Sequence, residues 1–275
     1  MLTLEQKQLI QEKAKAIRVH IVKSVTAAKS GHPGGSLSIA DVMSLLYFQE
    51  MNVNPNEPKD PNRDRFVLSK GHAAPALYAT LAEKGFFPTE ELLNLRKIDH
   101  ILQGHPDMKY IPGVDMSTGS LGQGISAACG MALAGKIDGA SYRVYSVLGD
   151  GELEEGQVWE AAMFAAHYKL SNLTAFVDFN GLQIDGDITK VMSPLPIDEK
   201  FKAFGWHVIV VDGHDLDALH AAVTEAKATT DKPTMVIMNT VKGKGVQAME
   251  GQAGWHGKAP SQEECDQFVA ELLEV

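Results

Sequence analysis

The chain has 275 residues, of which 44% are hydrophobic and 22% charged, so it can bury a substantial core and fold as a globular protein. Its formal net charge of -10 would repel a phosphate backbone, and no block rich in Lys and Arg offsets that charge, which argues against a nucleic-acid partner. Two cysteines without CxxC spacing, no secretory signal and no membrane-spanning apolar run predict a cytoplasmic protein with free thiols and no membrane partner.

The N-terminal half predicts helices separated by glycine-rich loops. Residues 4–29 repeat apolar positions at helical spacing and end at SGHP (30–33), where Gly and Pro predict an irregular loop. A second helix is expected from about Ile39. The segment RFVLS (65–69) predicts a short strand that runs into a KGH motif and an alanine-rich helix. Another loop is expected near His100.

From residue 143 onward, short β-branched segments alternate with amphipathic segments. The predicted strands are RVYSVLGD, LTAFVDF, HVIVVDG and TMVIMNT, and helices are predicted over 155–169 and 215–229. Such strands are apolar on both faces, which predicts an α/β fold with a parallel sheet and helices on both of its faces. No repeat or linker divides the sequence, so residues 1–275 are predicted to form one domain.

Polar residues follow two of these strands where each strand ends. The GDG motif at 149–151 closes one strand, and Asn180 closes the next, 30 residues after Asp150. Neighbouring parallel strands end at one edge of a sheet, where α/β folds bind ligands. Asp150, Asn180 and the carbonyl of Leu182 would then offer the oxygen ligands that magnesium prefers and shares with a diphosphate. A GDG alone is usually a tight turn, so the pairing with Asn180 carries the prediction of a site.

The ten histidines separate into two groups by position. Four lie beside glycine in loops, where an imidazole can point into a cleft and exchange protons near neutral pH. These are His32, His72, His105 and His256. The others, predicted to be structural, are His20, His100, His167, His207, His214 and His220. A zinc hydrolase is not indicated, because HExxH is absent.

GDGELEEGQVWEA followed by VDFNGLQIDG resembles the thiamine diphosphate motif of transketolases. Other segments resemble this family in the same order, from about residue 15 to 260: SGHPGGSLSIAD, RFVLSKGHAAPALYA, GHPD, STGSLGQGISAACGMA, and VKGKG with WHGK. Phe179 stands where the broader motif often has a first Asn, a position at which transketolases commonly vary. The sequence is therefore similar to the diphosphate-binding domain of this family.

The resemblance implies thiamine diphosphate and Mg2+ as cofactors, with Ca2+ or Mn2+ as alternative ions. Asp150, Asn180 and the Leu182 carbonyl would coordinate the metal. Residues implied to lie near the diphosphate or to contact the cofactor are His72, Gly119, Leu121, Gly151, Lys242 and His256, with Gly35 and Ile184 beside it. His32 and His256 would face the donor sugar and act as catalytic residues, and His105 would contact sugar hydroxyls.

Four glutamates follow the GDG motif. All would normally be exposed carboxylates of a first helical turn, where they stabilise the helix dipole, and this is the expectation for Glu152 and Glu154. The resemblance implies more for Glu155 and Glu160, which match glutamates at the interface between active sites that share protons with a carboxylate of the partner.

Transketolases also need a second domain, which carries the glutamate that activates the aminopyrimidine of the cofactor. A single-chain transketolase is more than twice as long as this sequence, which ends at Val275. The resemblance therefore implies a split enzyme in which a separate pyrimidine-binding subunit completes a heterotetramer with two copies of each chain. The implied reaction moves a two-carbon ketol unit between sugar phosphates, as in the pentose phosphate pathway. Three alternatives stay open: a deoxyxylulose phosphate synthase-like reaction, a branched or sulfonated sugar substrate, and a regulatory subunit without catalysis.

Overall fold

A five-stranded parallel sheet forms the centre of the computed structural model, which describes residues 1–184 and 186–274. The strands are β1 (Arg65–Leu68), β2 (Val144–Gly149), β3 (Leu173–Phe179), β4 (Leu182–Gln183), β5 (Gly186–Asp187), β6 (His207–Asp212) and β7 (Thr234–Asn239). The sheet order is β1-β2-β3-β7-β6, and β4 pairs with β5 in a separate antiparallel ladder. The strands predicted by the sequence are confirmed.

Helices cover both faces of the sheet. They are α1 (Leu4–Ala28), α2 (Pro33–Leu37), α3 (Ala40–Leu45), α4 (Ala74–Lys84), α5 (Gln123–Ile137), α6 (Gly156–His167), α7 (Ile188–Val191), α8 (Ile197–Ala203), α9 (Leu216–Ala228) and α10 (Gln262–Glu274). Short 3-10 or π turns lie at Leu46–Glu50, Gly71–Ala73, Thr89–Asn94, Gly151–Glu154 and Ala253–Trp255. Among the described residues, no helix combines the length and the apolar character needed to cross a membrane.

Side chains of the strands alternate between the two helical layers. Tyr145 and Val147 pack with α1, α3, α4, α9 and α10, whereas Val144 and Leu148 pack with α5, α6 and α8. Full burial of each such aliphatic side chain stabilises the fold by roughly 1.5–3 kcal/mol. The predicted α/β fold, with a parallel sheet covered on both faces, is confirmed.

The segment after α1 differs from the prediction. The sequence predicts that SGHP begins an irregular loop, but Pro33 starts the short helix α2. Proline suits a first helical position, because its fixed φ is already helical and its missing N–H would have no partner there. The glycines then permit close packing: a Cβ on Gly34 would lie 2.9 Å from the carbonyl oxygen of Trp255. Tertiary contact therefore favours helix where local sequence favours a loop.

Candidate cofactor and active site

The carboxyl ends of β2 and β3 meet at one edge of the sheet. Gly149 pairs with Asp178 in the strand register, and the Asp150 carboxylate accepts hydrogen bonds from the backbone N–H groups of Gly151 at 2.9 Å and Gly181 at 2.7 Å. The strand order reverses next to β3, and ligands of α/β folds bind outside the strand ends at such a reversal. The predicted proximity of the GDG motif and the following strand end is confirmed, while the roles of its residues stay predictions.

Oxygen atoms of the predicted metal ligands face the same region. The Asn180 side-chain oxygen accepts from the N–H of Leu182 at 3.1 Å, and the Leu182 carbonyl accepts from the Lys242 ammonium at 3.3 Å. The Asn180 amide group donates to Asp178 at 2.9 Å, which fixes the direction of its oxygen. One carboxylate, one amide oxygen and one carbonyl oxygen are thus available together.

A cavity of about 250 Å³ collects most of the predicted site residues. Its lining includes His32, Gly35, His72, Gly119, Leu121, Asp150, Gly151, Asn180, Leu182, Ile184, Lys242 and His256. His105 does not line this cavity but lies directly behind it, since a Cβ on Gly119 would come within 3.1 Å of the His105 ring. Glu155 and Glu160 are exposed outside the cavity.

The donor set fits a hard divalent cation. Asp150 is 3% exposed, and burial together with the neighbouring Asp178 charge raises its pKa to about 7. A divalent cation would offset the cost of this buried negative charge. Among the described residues, no group of three or more His, Cys, Asp or Glu side chains is arranged to hold a metal ion, as a structural zinc site would require. Mg2+ by contrast binds through one or two carboxylates and shares its remaining positions with phosphate oxygens.

Three of the loop histidines form a cluster in the same cavity. The ring centroids of His32, His72 and His256 lie 5.2–5.3 Å from one another. Burial, reinforced by nearby basic side chains, lowers the pKa of His32 and His256 to about 4 and that of His72 to about 2. All three rings are therefore neutral at pH 7. The buried Nδ1 atom of His32 has no hydrogen-bond partner among the described residues, so it can serve a ligand.

Five of the six histidines predicted to be structural instead contact a carboxylate. The pairs are His20 with Glu83, His100 with Glu91, His207 with Glu225, His214 with Asp41 and His220 with Glu50, at 2.6–2.9 Å. The sixth, His167, packs edge-on against Tyr168. These contacts agree with the structural interpretation.

A buried ion pair that the sequence analysis missed supports the floor of the cavity. Lys70 is 1% exposed and Asp178 is fully buried, and the ammonium donates to Asp178 at 2.6 Å and to the Gly35 carbonyl at 2.7 Å. Burial alone would raise the pKa of Asp178, but the Lys70 charge and hydroxyl donors hold it below its usual value. The only sequence signal was position, since Lys70 precedes the GH motif and Asp178 precedes Asn180 by two residues.

Arg96 is a second functional candidate that the sequence did not reveal. Its guanidinium donates to the Ser30 hydroxyl at 2.8 Å, and after burial its charge is a main cause of the lowered pKa of both His32 and His105. No glycine-rich motif marks this position, so sequence alone offered no signal.

The expectation for Glu152 and Glu154 is wrong. Helix α6 begins only at Gly156, and Glu152 is 2% exposed. Its carboxylate accepts from the N–H groups of Gly122 at 2.9 Å and Gly149 at 3.0 Å, and also from the Ser69 hydroxyl. Glu154 is half-buried and accepts from Gln183 at 3.0 Å. Without the Glu152 carboxylate, donors from three converging loops would be buried without an acceptor. The free-energy cost of leaving them unpaired exceeds the cost of removing the carboxylate from solvent.

Comparison with known proteins agrees with this geometry. The family described as "Transketolase, thiamine diphosphate binding domain" matches residues 9–272. The 6-deoxy-6-sulfo-D-fructose transketolase subunit SqwG of Clostridium sp. (strain MSTE9) is 48% identical, over 98% of each chain. An apulose-4-phosphate transketolase subunit of Phocaeicola vulgatus is 44% identical, over 94% of this chain and 91% of that protein.

Single-chain relatives are matched over part of their length. The chain is 48% identical to transketolase of Homo sapiens, over 96% of its own length and 42% of that protein. The crystal structure of transketolase from Campylobacter jejuni aligns with a TM-score of 0.91 at 33% identity, over 96% of this chain and 43% of that one. Because the family match spans nearly the whole sequence and the fold agrees, the chain belongs to the transketolase family and carries its thiamine diphosphate binding domain.

Proposed function

We propose that the chain is the diphosphate-binding subunit of a two-chain transketolase that uses thiamine diphosphate and Mg2+. One observation carries this proposal: a single cavity joins the oxygen groups of Asp150, Asn180 and Leu182 to a cluster of neutral histidines. Bound there, thiamine diphosphate would supply the electron sink that ketol transfer requires.

The residues of this chain would bind and orient the cofactor. Asp150, Asn180 and the Leu182 carbonyl would hold Mg2+, and Ca2+ or Mn2+ could replace it because they accept similar oxygen ligands. Lys242 and His72 can donate to diphosphate oxygens, since both line the cavity and neither pairs with a carboxylate of residues 1–184 or 186–274. Gly119, Gly151 and Leu121 complete the predicted cofactor contacts.

Two histidines are placed to handle protons of the donor sugar. His32 and His256 are neutral at pH 7, so each ring has one lone pair that can accept a hydroxyl proton. In His256 that lone pair lies at Nδ1, 3.1 Å from the Lys242 ammonium, and would become free when Lys242 donates to the diphosphate instead. His105 lies behind Gly119, where it is suited to contact sugar hydroxyls.

The partner in this proposal is a pyrimidine-binding transketolase subunit, which would assemble with this chain as a cytoplasmic heterotetramer. Support comes from a relative that is named as one subunit of a transketolase and that this chain matches over 98% of both lengths. Glu155 and Glu160 are exposed, which suits contact with another chain.

Sugar phosphates of the pentose phosphate type are the proposed substrates, with a ketose phosphate as donor and an aldose phosphate as acceptor. A sulfonated sugar is the second candidate, because a relative matched over 98% of its length is named for 6-deoxy-6-sulfo-D-fructose. The cavity at the ends of β2 and β3 would hold the diphosphate of the cofactor. The distal anionic group of the sugar would lie largely against the partner subunit.

The test is a ketol-transfer assay of the chain alone, of the co-purified partner alone, and of their mixture. We expect activity only in the mixture, dependent on both thiamine diphosphate and Mg2+. Xylulose 5-phosphate with ribose 5-phosphate should be compared with 6-deoxy-6-sulfo-D-fructose as donor, which separates the two candidates. Robust transfer by the isolated chain would refute the two-chain arrangement. A mixture that binds the cofactor yet transfers nothing from either donor would favour a regulatory role.

A further inference from the structure

We propose that Arg18, Asp41 and His214 form a positioning network that holds the loop of residues 241–244, and through it Lys242, at the cofactor cavity. None of the three lines that cavity. They come from α1, α3 and the end of β6, and the sequence predicts only a structural role for His214. The proposal rests on the proposed function solely for the identity of the ligand that Lys242 contacts.

Hydrogen bonds fix the state of the His214 ring. Its Nε2 atom lies 2.9 Å from the backbone N–H of Val241, which can only donate, so Nε2 must be the unprotonated nitrogen. Its Nδ1 atom therefore carries the proton and donates a hydrogen bond to the Asp41 carboxylate at 2.7 Å. His214 therefore connects Asp41 to the first residue of the loop in one defined orientation.

Arg18 fixes Asp41 and also reaches the other end of the loop. Its guanidinium donates to both carboxylate oxygens of Asp41, at 3.1 and 2.6 Å, a bidentate geometry that sets the carboxylate plane. The Arg18 Nε–H donates to the Lys244 carbonyl at 3.1 Å. The network thus holds the backbone on both sides of Lys242.

The side chain of Lys242 extends from this loop into the cavity. It is 3% exposed, and its ammonium lies 3.3 Å from the Leu182 carbonyl and 3.1 Å from the His256 ring. The loop has further support, because Gly243 donates to the Gly34 carbonyl at 2.9 Å. Loss of the His214 contact should therefore displace Lys242 without unfolding the loop.

Two substitutions separate the contacts of His214. Asn is short, so in His214→Asn the amide can still reach Asp41 from the position of Nδ1 but leaves the Val241 N–H without an acceptor. Gln is longer, so in His214→Gln its amide oxygen can take the place of Nε2. The matched control is His220→Asn, which makes the same change in another histidine whose Nδ1 contacts a carboxylate; this ring is 21% exposed rather than 15% and lies on α9 rather than beside the loop.

The experiment combines hydrogen exchange on the full chain with calorimetric titration of its partner complex by thiamine diphosphate and Mg2+. We expect His214→Asn to speed exchange in residues 240–246 and to weaken binding about tenfold, as for other outer supports of a binding site. His214→Gln should restore both to near wild-type values. His220→Asn should change neither, although its melting temperature should fall about as much as that of His214→Asn.

Equal effects of Asn and Gln at position 214, exchange that rises throughout the chain, or unchanged binding in His214→Asn would overturn the proposal. A wild-type complex that fails to bind thiamine diphosphate would refute the proposed function instead. In that case local exchange at Val241 still decides whether the network positions the loop.

Discussion

Histidines in the strand-end cavity and histidines outside it contact different kinds of side chain. In the cavity, His32, His72 and His256 contact one another beside Lys242, and none pairs with a carboxylate in the described residues. Outside the cavity, five histidines each contact an aspartate or glutamate. The Lys242 ammonium and the N–H groups of these rings are donors that suit an anionic ligand. The side chains that a histidine contacts therefore distinguish candidate catalytic histidines from structural ones. The number and spacing of histidines in the sequence do not.

The largest expected effect comes from removing the carboxylate that anchors the cavity. Asp150→Asn should weaken binding of thiamine diphosphate with Mg2+ at least about 1000-fold, or ~4 kcal/mol, because a neutral amide is a poor substitute for the charged metal ligand. Calorimetry measures this loss. The control is Asp198→Asn, which neutralises an exposed carboxylate paired with Lys202 and should bind normally.

The next effect concerns the loops that surround the cavity. Glu152→Ala would leave two backbone N–H groups and the Ser69 hydroxyl without their acceptor, so the free energy of unfolding should fall by about 2–3 kcal/mol. Glu152→Gln keeps an acceptor oxygen and should lose less. Urea denaturation compares the variants, and equal losses for Ala and Gln would show that the carboxylate charge, not its hydrogen bonds, matters.

Glu152 also shows where sequence reasoning reached its limit. The strands, their parallel direction and the closeness of the strand ends that carry Asp150 and Asn180 followed from periodicity and from residues at strand ends. Burial of Glu152 could not be predicted, since it depends on donors from loops that are distant in sequence. The Lys70–Asp178 pair and the position of Arg96 share this cause. Local composition specifies elements, whereas buried polar contacts arise only once the elements have packed.

Acid should destabilise the folded state through His72 in the cavity. Its folded pKa of about 2 lies below the value near 6.5 expected when unfolded, so the unfolded state gains protons first as pH falls. Stability is therefore lost as pH falls below about 6.5. Between pH 7 and pH 5, His72→Gln should lose about 1–2 kcal/mol less than the wild type in denaturant titrations. Equal losses would show that His72 does not contribute to acid lability.

The smallest effect is expected on the outer surface. His207 and Glu225 form a pair whose side chains are 31% and 57% exposed, and such pairs contribute little because solvent screens them. His207→Ala should change the free energy of unfolding by about 0.5 kcal/mol or less and leave cofactor binding unchanged. Weaker cofactor binding by this variant would contradict the distinction between cavity histidines and structural histidines.

The most direct measurement is the binding of thiamine diphosphate to the complex of this chain with its partner, titrated by calorimetry with Mg2+ and again with EDTA. We expect one cofactor per copy of this chain, binding that requires the divalent ion, and loss of that binding in Asp150→Asn. Binding of equal affinity in EDTA, or an Asp150→Asn variant that binds as tightly as the wild type, would contradict a metal-anchored diphosphate at the ends of β2 and β3.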